Sequence, residues 1–93
     1  MIRSYRDKIT EKVASGRAAK GLPSSLVKRA VLKLTALEYA TSLDDLKSPP
    51  GNRLEPPKGN RKGQHSIRIN DRYRICFVWT EAGPEQVEIT DYH

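Results

Sequence analysis

The sequence predicts an α+β fold in which two N-terminal helices pack on one face of a small, mostly antiparallel sheet. Before Pro49, apolar residues recur three and four positions apart, which is the spacing of amphipathic helices. After Pro50, they recur two positions apart, which is the spacing of half-buried strands. The two prolines separate these halves because proline cannot continue a helix. With 93 residues, the chain is expected to form one domain over residues 1–93.

The helical half is predicted to contain a short and a long helix. Residues 7–15 form the short helix, with Ile9 and Val13 on its apolar face. Pro23 and the serines after it open the long helix, because proline suits a first turn and serine caps free N–H groups. The apolar stripe of the long helix consists of Val27, Ala30, Val31, Leu34, Leu37 and Tyr39. A short first strand is expected at Ile2–Tyr5.

Alternation predicts an antiparallel meander in the second half. Ile67 and Ile69 mark one strand, and the next runs from Tyr73 to about Thr80. If the isoleucines face the helices, Arg68 and Arg74 project from the opposite, open face. Because they lie on neighbouring strands, these two arginines are expected to converge on a shared ligand.

Positive charge is concentrated in two parts of the chain, whose net charge is +6. Residues 1–33 carry nine basic and two acidic side chains, and residues 53–74 carry seven and two. This distribution suits a polyanion such as nucleic acid, although a well-solvated surface would have the same composition. The second block contains a cluster suited to phosphate, because arginine offers a planar fork of donors and lysine a mobile charge. Its members are Lys58, Arg61, Lys62, Arg68, Arg72 and Arg74.

Two histidines are candidates for proton transfer, because only histidine has an ordinary pKa close to neutrality. His65 begins the strand that carries Arg68, and His93 follows Asp91 and Tyr92. A carboxylate beside an imidazole can orient it, and a tyrosine can stack on a base. Adjacent strand residues point to opposite faces, so these last three residues meet at one point only if the chain bends there.

Residues 48–93 resemble the HigB group of the RelE superfamily of toxins. The glycine-bounded basic loop Lys58–Gly63, the hairpin SIRIND-x-YRICF and the ending DYH occur there in the order and spacing typical of that group. The resemblance implies a RelE-like fold and a type II toxin that cuts messenger RNA on the ribosome. It also implies a HigA-type helix-turn-helix antitoxin as partner.

The resemblance also implies roles for particular residues. The catalytic surface of the family maps onto Lys58, Arg61, Arg74, Asp91, Tyr92 and His93. Alternation and turn position add Arg68 and Asn70 as RNA-binding residues, with Lys62 from the basic loop. His65 stands where the family often has an aromatic residue, so it is expected to stack on RNA. Glu55 departs from the family, because some relatives place a histidine near it.

The implied mechanism is metal-independent attack of a ribose 2′-OH on the adjacent phosphate, with no cofactor. Two alternatives remain open: a ParE-like toxin that blocks DNA gyrase, and a non-catalytic module that binds RNA or the ribosome. We expect a cytoplasmic protein with no membrane partner. No apolar run approaches the roughly 20 residues of a membrane helix, the N-terminus lacks the apolar stretch of a secretory signal, and Cys76 is a lone cysteine.

Overall fold

A computed structural model of the chain describes residues 1–56 and 63–91. Its helices are α1 (Lys8–Ala14) and α2 (Ser24–Tyr39), followed by the short 3-10 helices η1 (Leu43–Lys47) and η2 (Pro50–Asn52). The strands are β1 (Gln64–Arg68), β2 (Tyr73–Thr80) and β3 (Gly83–Asp91), which form an antiparallel sheet in the order β1-β2-β3. The α+β class is confirmed, with two helices before the meander. Within the described ranges, no helix is long and apolar enough to cross a membrane.

The helix α1 is capped by Asp7, whose carboxylate accepts a hydrogen bond from the Thr10 N–H at 2.8 Å. Its buried residues are Thr10 and Val13, whereas Ile9 is 51% exposed, so the prediction that Ile9 lies on the buried face is wrong. Thr10 takes the inner position because its Oγ1 accepts a hydrogen bond from the Ile89 N–H at 2.9 Å. This bond ties α1 to β3.

The core lies between α2 and the sheet. The apolar stripe of α2 is buried as predicted at four positions, but Tyr39 at its end is 78% exposed. Those four are Val27, Ala30, Leu34 and Leu37. Across from them the sheet contributes the fully buried side chains of Ile67, Ile69, Ile75, Phe77 and Val87. The two layers therefore meet through the face of the sheet that alternation assigned to the helices.

The N-terminal segment runs beside β3, where a strand was expected at Ile2–Tyr5. The structure has an isolated parallel bridge there, between Tyr5 and Val87. The Val87 N–H donates to the Ser4 carbonyl at 3.1 Å, and the Arg3 N–H donates to the Pro84 carbonyl at 2.7 Å. Gly83 permits this approach, because a Cβ built there would lie 2.2 Å from the Met1 carbonyl oxygen.

The register of the sheet separates two faces. Ile67, Ile75 and Ile89 lie in one row across β1, β2 and β3, on the face that packs against the helices. One position along, Arg68 and Arg74 are direct partners. Because side chains alternate along a strand, this second row points to the opposite face. We call that side of the sheet the second face.

The segment after η2 crosses to the free edge of β1. Asn52 is fully buried, and its Nδ2 donates to the carbonyls of Leu46 and Ser48 at 3.1 and 3.2 Å. Arg53 then adopts a left-handed conformation with φ 44°, and Glu55 forms an antiparallel bridge with Ser66. This path brings the Arg53 carbonyl beside the second face.

Candidate nucleic-acid interface

Arg74 lies at the centre of the second face, but it is only 8% exposed. Its Nε donates to the Ser66 hydroxyl at 2.8 Å, and its Nη2 donates to the Ser66 carbonyl at 3.1 Å and also to the Arg53 carbonyl. The prediction that the Arg74 side chain is exposed on an open face is therefore wrong, because the side chain is buried. The physical reason is the segment 53–55, which pairs with β1 and covers the arginine.

The surroundings of Arg74 stabilise its charge and fix its direction. A guanidinium has five N–H donors, and the three bonds above use one on Nε and two on Nη2. In the described part of the chain Nη1 donates to no residue, so two donors remain for an anion. Glu55 Oε1 lies 3.8 Å from Nε and offsets part of the positive charge.

Arg68 is the direct partner of Arg74 across β1 and β2, as predicted. Its guanidinium, however, contacts the carboxylate of Asp71, a residue that is almost fully exposed. The side chain of Arg68 is 25% exposed. The two arginines thus lie side by side at their Cα atoms, but their guanidinium groups bind different partners and do not converge.

Asn70 organises the turn between β1 and β2. Its Oδ1 accepts hydrogen bonds from the N–H groups of Arg72 at 2.9 Å and Tyr73 at 2.8 Å. An asparagine side chain that binds backbone N–H groups ahead of it stabilises a tight turn. The side-chain oxygen of Asn70 is therefore committed to the hairpin, and the role of Asn70 in binding RNA stays a prediction.

Asp91 ends β3 on the face that carries Ile89, opposite to the face of Arg74. Its Oδ2 accepts hydrogen bonds from Arg72 Nε at 3.0 Å and Nη2 at 2.9 Å. The same guanidinium lies 5.4 Å from the centre of the Tyr73 ring, in cation–π geometry. The bond to Asp91 raises the pKa of Arg72 above its ordinary value.

His65 lies on the helix-side face of β1 and not beside Arg74. Its ring stacks on Phe77 at 6.3 Å with an interplanar angle of 22°. Its Nδ1 is buried, and no residue in ranges 1–56 and 63–91 forms a hydrogen bond with it. The structure therefore does not bring His65 together with the arginines, although its role in binding RNA stays a prediction.

Five predicted site residues lie outside the described residues, namely Lys58, Arg61, Lys62, Tyr92 and His93. Two contributors within the described ranges were not anticipated as site residues: the Ser66 hydroxyl and the Arg53 carbonyl. Arg72 was predicted as a member of the basic cluster, but its contact with Asp91 was not predicted. Alternation could have placed Ser66 on the face of Arg74. The Arg53 and Arg72 contacts depend on chain crossings that leave no local pattern. Among the described residues, no group of three or more His, Cys, Asp or Glu side chains could hold a metal ion.

Two helices followed by an antiparallel meander is an architecture consistent with RelE-like toxins. The sequence pattern of one family, described as RelE-like toxin of type II toxin-antitoxin system HigB, matches residues 3–93. The chain belongs to this HigB-like toxin family. Membership of a type II toxin-antitoxin system implies an antitoxin as partner.

Three relatives extend this result. The chain is 44% identical over 61 residues to Toxin HigB-1 of Vibrio cholerae serotype O1, a match that covers 66% of this chain and 64% of that toxin. It is 29% identical to Endoribonuclease HigB of Proteus vulgaris over the full length of both. It is also 40% identical over 60 residues to an uncharacterized protein of Haemophilus influenzae, covering 62% of this chain and 57% of that protein.

Proposed function

We propose that this chain is an endoribonuclease that cuts messenger RNA on the ribosome and so inhibits translation in the cytoplasm. The name of the full-length Proteus vulgaris relative, an endoribonuclease, supports the activity. The proposed partners are the ribosome, its message and a HigA-type helix-turn-helix antitoxin. The nucleophile is the ribose 2′-OH beside the cut, so the chain supplies proton transfer and charge stabilisation and needs no metal.

The observation that carries the proposal is the ordered guanidinium of Arg74. Three hydrogen bonds hold it before substrate arrives, and Nη1 donates to none of residues 1–56 and 63–91. Attack of the 2′-OH places additional negative charge on the phosphate, and donors fixed in advance stabilise such a transition state without reorganising. In water-excluded surroundings this stabilisation is stronger than at an open surface.

The other roles are proposed from the family. His93, oriented by Asp91, transfers the proton, and Tyr92 shares that task or contacts a base. Lys58 and Arg61 add positive charge at the phosphate. Because Arg72 already binds the Asp91 carboxylate, we include Arg72 among the groups that set the orientation of this carboxylate.

Primer extension on a translated message, with and without ribosomes, tests the proposal. We expect cleavage that requires ribosomes and falls by roughly a hundredfold or more in Arg74→Lys and His93→Ala. The control is Lys47→Gln, which changes an exposed lysine paired with Asp44 on η1 and should cleave at the parental rate. Parental cleavage by His93→Ala and Tyr92→Ala would show that the proposed site is wrong.

A supercoiling assay with purified gyrase separates the proposal from a ParE-like activity. We expect supercoiling to continue in the presence of the chain. If the chain inhibited gyrase and left the message intact, it would be a ParE-like gyrase inhibitor and the proposed activity would be wrong. If the chain bound ribosomes in a salt-sensitive way but gave no cleavage products, it would be a non-catalytic binding module.

A further inference from the structure

The helix α2 carries a second stripe of side chains outside the core. Arg29, Leu32, Lys33 and Ala36 follow one another at spacings of three and four, so they lie on one flank of the helix. Leu32 in this stripe is 70% exposed. A large apolar side chain between two cations on an exposed helix flank has no role in the core.

This flank faces a groove that we call the α2 groove. Its walls are the stripe on one side and Pro49 and Asn52 on the other, and it encloses about 380 Å³. Leu32, Ala36 and Pro49 make the walls largely apolar, and Arg29 and Lys33 supply the charge. A groove with apolar walls and fixed cations matches a peptide segment that presents apolar and acidic side chains together.

Lys33 is held in place within the α2 groove. Its Nζ donates a hydrogen bond to Oδ1 of Asn52, a residue that is fully buried and fixed by its own bonds to Leu46 and Ser48. An ammonium group has three donors, and within the described ranges Lys33 Nζ uses one of them, on Asn52. Because the side chain is already ordered, binding an anion there costs little rotamer entropy.

The charge of this groove is not compensated within the described residues. None of their ion pairs includes Arg29 or Lys33. Burial lowers the pKa of Lys33 from its ordinary value, and the positive charges of Arg29 and Arg68 lower it further. Two like charges four positions apart on a helix repel each other. A carboxylate placed between them would relieve both effects.

The groove on the other flank of α2 offers a contrast. It is lined by Ile2, Tyr5 and Tyr39 and by the carboxylate of Glu38. That carboxylate already accepts a hydrogen bond from the Ile2 N–H at 2.9 Å. Burial raises the pKa of Tyr5 above its ordinary value, and the negative charge of Glu38 raises it further. This second groove carries a carboxylate where the α2 groove carries cations, so it provides a reference surface of opposite charge.

We propose that the α2 groove binds an acidic, amphipathic segment of the antitoxin. One carboxylate of that segment bridges Arg29 and Lys33, and an apolar side chain packs on Leu32. The apolar walls favour a peptide over an RNA backbone, because a phosphate chain leaves apolar surface uncovered. The proposal depends on membership of a type II toxin-antitoxin family and not on cleavage of RNA, so it stands or falls independently of the proposed activity.

Titration calorimetry of the purified chain with the purified antitoxin of the same system tests the proposal. We expect Leu32→Ser and the pair Arg29→Gln, Lys33→Gln each to weaken binding by roughly tenfold or more. The controls change equally exposed residues of α2 outside the groove, Tyr39→Ser and Lys28→Gln, and should stay within about twofold of the parent. The dependence of the Kd on salt should be smaller in the double variant, because the binding loses charge pairs.

Each other result would overturn the proposal. Parental affinity in both Leu32→Ser and the double variant Arg29→Gln, Lys33→Gln would place the antitoxin elsewhere. A loss confined to Tyr39→Ser would assign binding to the acidic groove. A loss of ribosome binding in the groove variants, with antitoxin affinity unchanged, would make the groove a nucleic-acid surface. Circular dichroism and thermal melting establish that each variant is folded.

Discussion

The direction of the Arg74 guanidinium depends on neighbours from two different parts of the chain. Ser66, one strand away, supplies a hydroxyl and a carbonyl, and Arg53 supplies a carbonyl from beyond the sheet edge. The segment that carries Arg53 is placed by the buried amide of Asn52. The direction of one guanidinium is thus set by Ser66, by Arg53 and, through the path of the chain, by Asn52.

At this scale we predict that Ser66→Ala lowers kcat for cleavage by about tenfold and leaves KM nearly unchanged. The reason is that Nε of Arg74 loses the acceptor at 2.8 Å that holds it in position. Ser66→Thr keeps the hydroxyl and should recover most of the rate. Single-turnover kinetics on ribosome-bound message measures the effect.

Thr90→Val is the matched control for Ser66. Thr90 pairs with Arg74 on β3, and its buried hydroxyl has no hydrogen-bond partner in the described part of the chain. Removing that hydroxyl should therefore leave both kcat and stability at or above parental values. Equal losses of kcat in Ser66→Ala and Thr90→Val would mean that any change on this face of the sheet disturbs the site.

The turn between β1 and β2 gives Asn70 two separable roles. Asn70→Ala removes the acceptor for the Arg72 and Tyr73 N–H groups and should destabilise the protein by about 1 kcal/mol. Asn70→Asp keeps the acceptor but adds negative charge, so it should retain stability and weaken RNA binding. Urea unfolding and ribosome binding are the two measurements. If Asn70→Asp binds ribosomes like the parent, Asn70 acts only in the turn.

The helix η1 is held by a capping box between Ser42 and Asp45. The Asp45 carboxylate accepts a hydrogen bond from the Thr41 N–H at 2.8 Å and a second one from the Thr41 hydroxyl at 3.0 Å. These two bonds, the first more than the second, hold the pKa of Asp45 below its ordinary value of 3.8. A carboxylate with a lowered folded pKa contributes stability above its unfolded pKa and loses it as pH falls through the folded value.

We therefore predict that Asp45→Asn lowers the Tm at pH 7 and that this difference shrinks as the pH falls below about 3.8. Asp44→Asn is the control, because the Asp44 side chain is 83% exposed and pairs only with Lys47 in the described structure. Thermal melting from pH 7 to pH 2 measures both variants. A Tm difference that is constant with pH would contradict the assigned role of the Asp45 charge.

Element by element, periodicity predicted most of the fold. The stripe on α2 extends over enough residues to define one buried face, which the structure has up to Leu37. On β2 the four consecutive residues Arg74–Phe77 are buried, because the helices cover one face and the segment 53–55 covers Arg74 on the other. The strand expected at Ile2–Tyr5 is a single bridge, because its pairing depends on the distant β3. The inner position of Thr10 and the cover over Arg74 have the same origin, namely contacts between segments far apart in sequence.

The candidate site was predictable only in part. Alternation placed Arg68 and Arg74 on neighbouring strands, and the register confirms that they are direct partners. Alternation assigns a side chain to a face but does not say what covers that face. The contact of Arg68 with Asp71 is set by the turn between β1 and β2, and the contact of Arg72 with Asp91 depends on the pairing of β2 with β3. Single residues reveal neither.

Over the whole molecule, the net charge of +6 governs how it meets a polyanion. We predict that ribosome binding weakens linearly in log Kd with log salt, and that Arg68→Gln lowers the slope by about 1 if this side chain meets a phosphate. Lys47→Gln, which removes an equal charge on η1, should leave the slope unchanged. An unchanged slope in Arg68→Gln would exclude Arg68 from the phosphate contacts.

The pairing of the N-terminal segment with β3 bears on the order in which the fold forms. The Val87 N–H donates to the Ser4 carbonyl and the Arg6 N–H donates to the Val87 carbonyl, so Ser4 and Arg6 gain these partners only when β3 is in place. Contacts between such distant segments form late, because a long loop has to close first. During synthesis the chain cannot complete its sheet until β3 has left the exit tunnel. Asp91, which Arg72 binds, lies on the same strand, so this part of the candidate site is assembled only when the sheet closes.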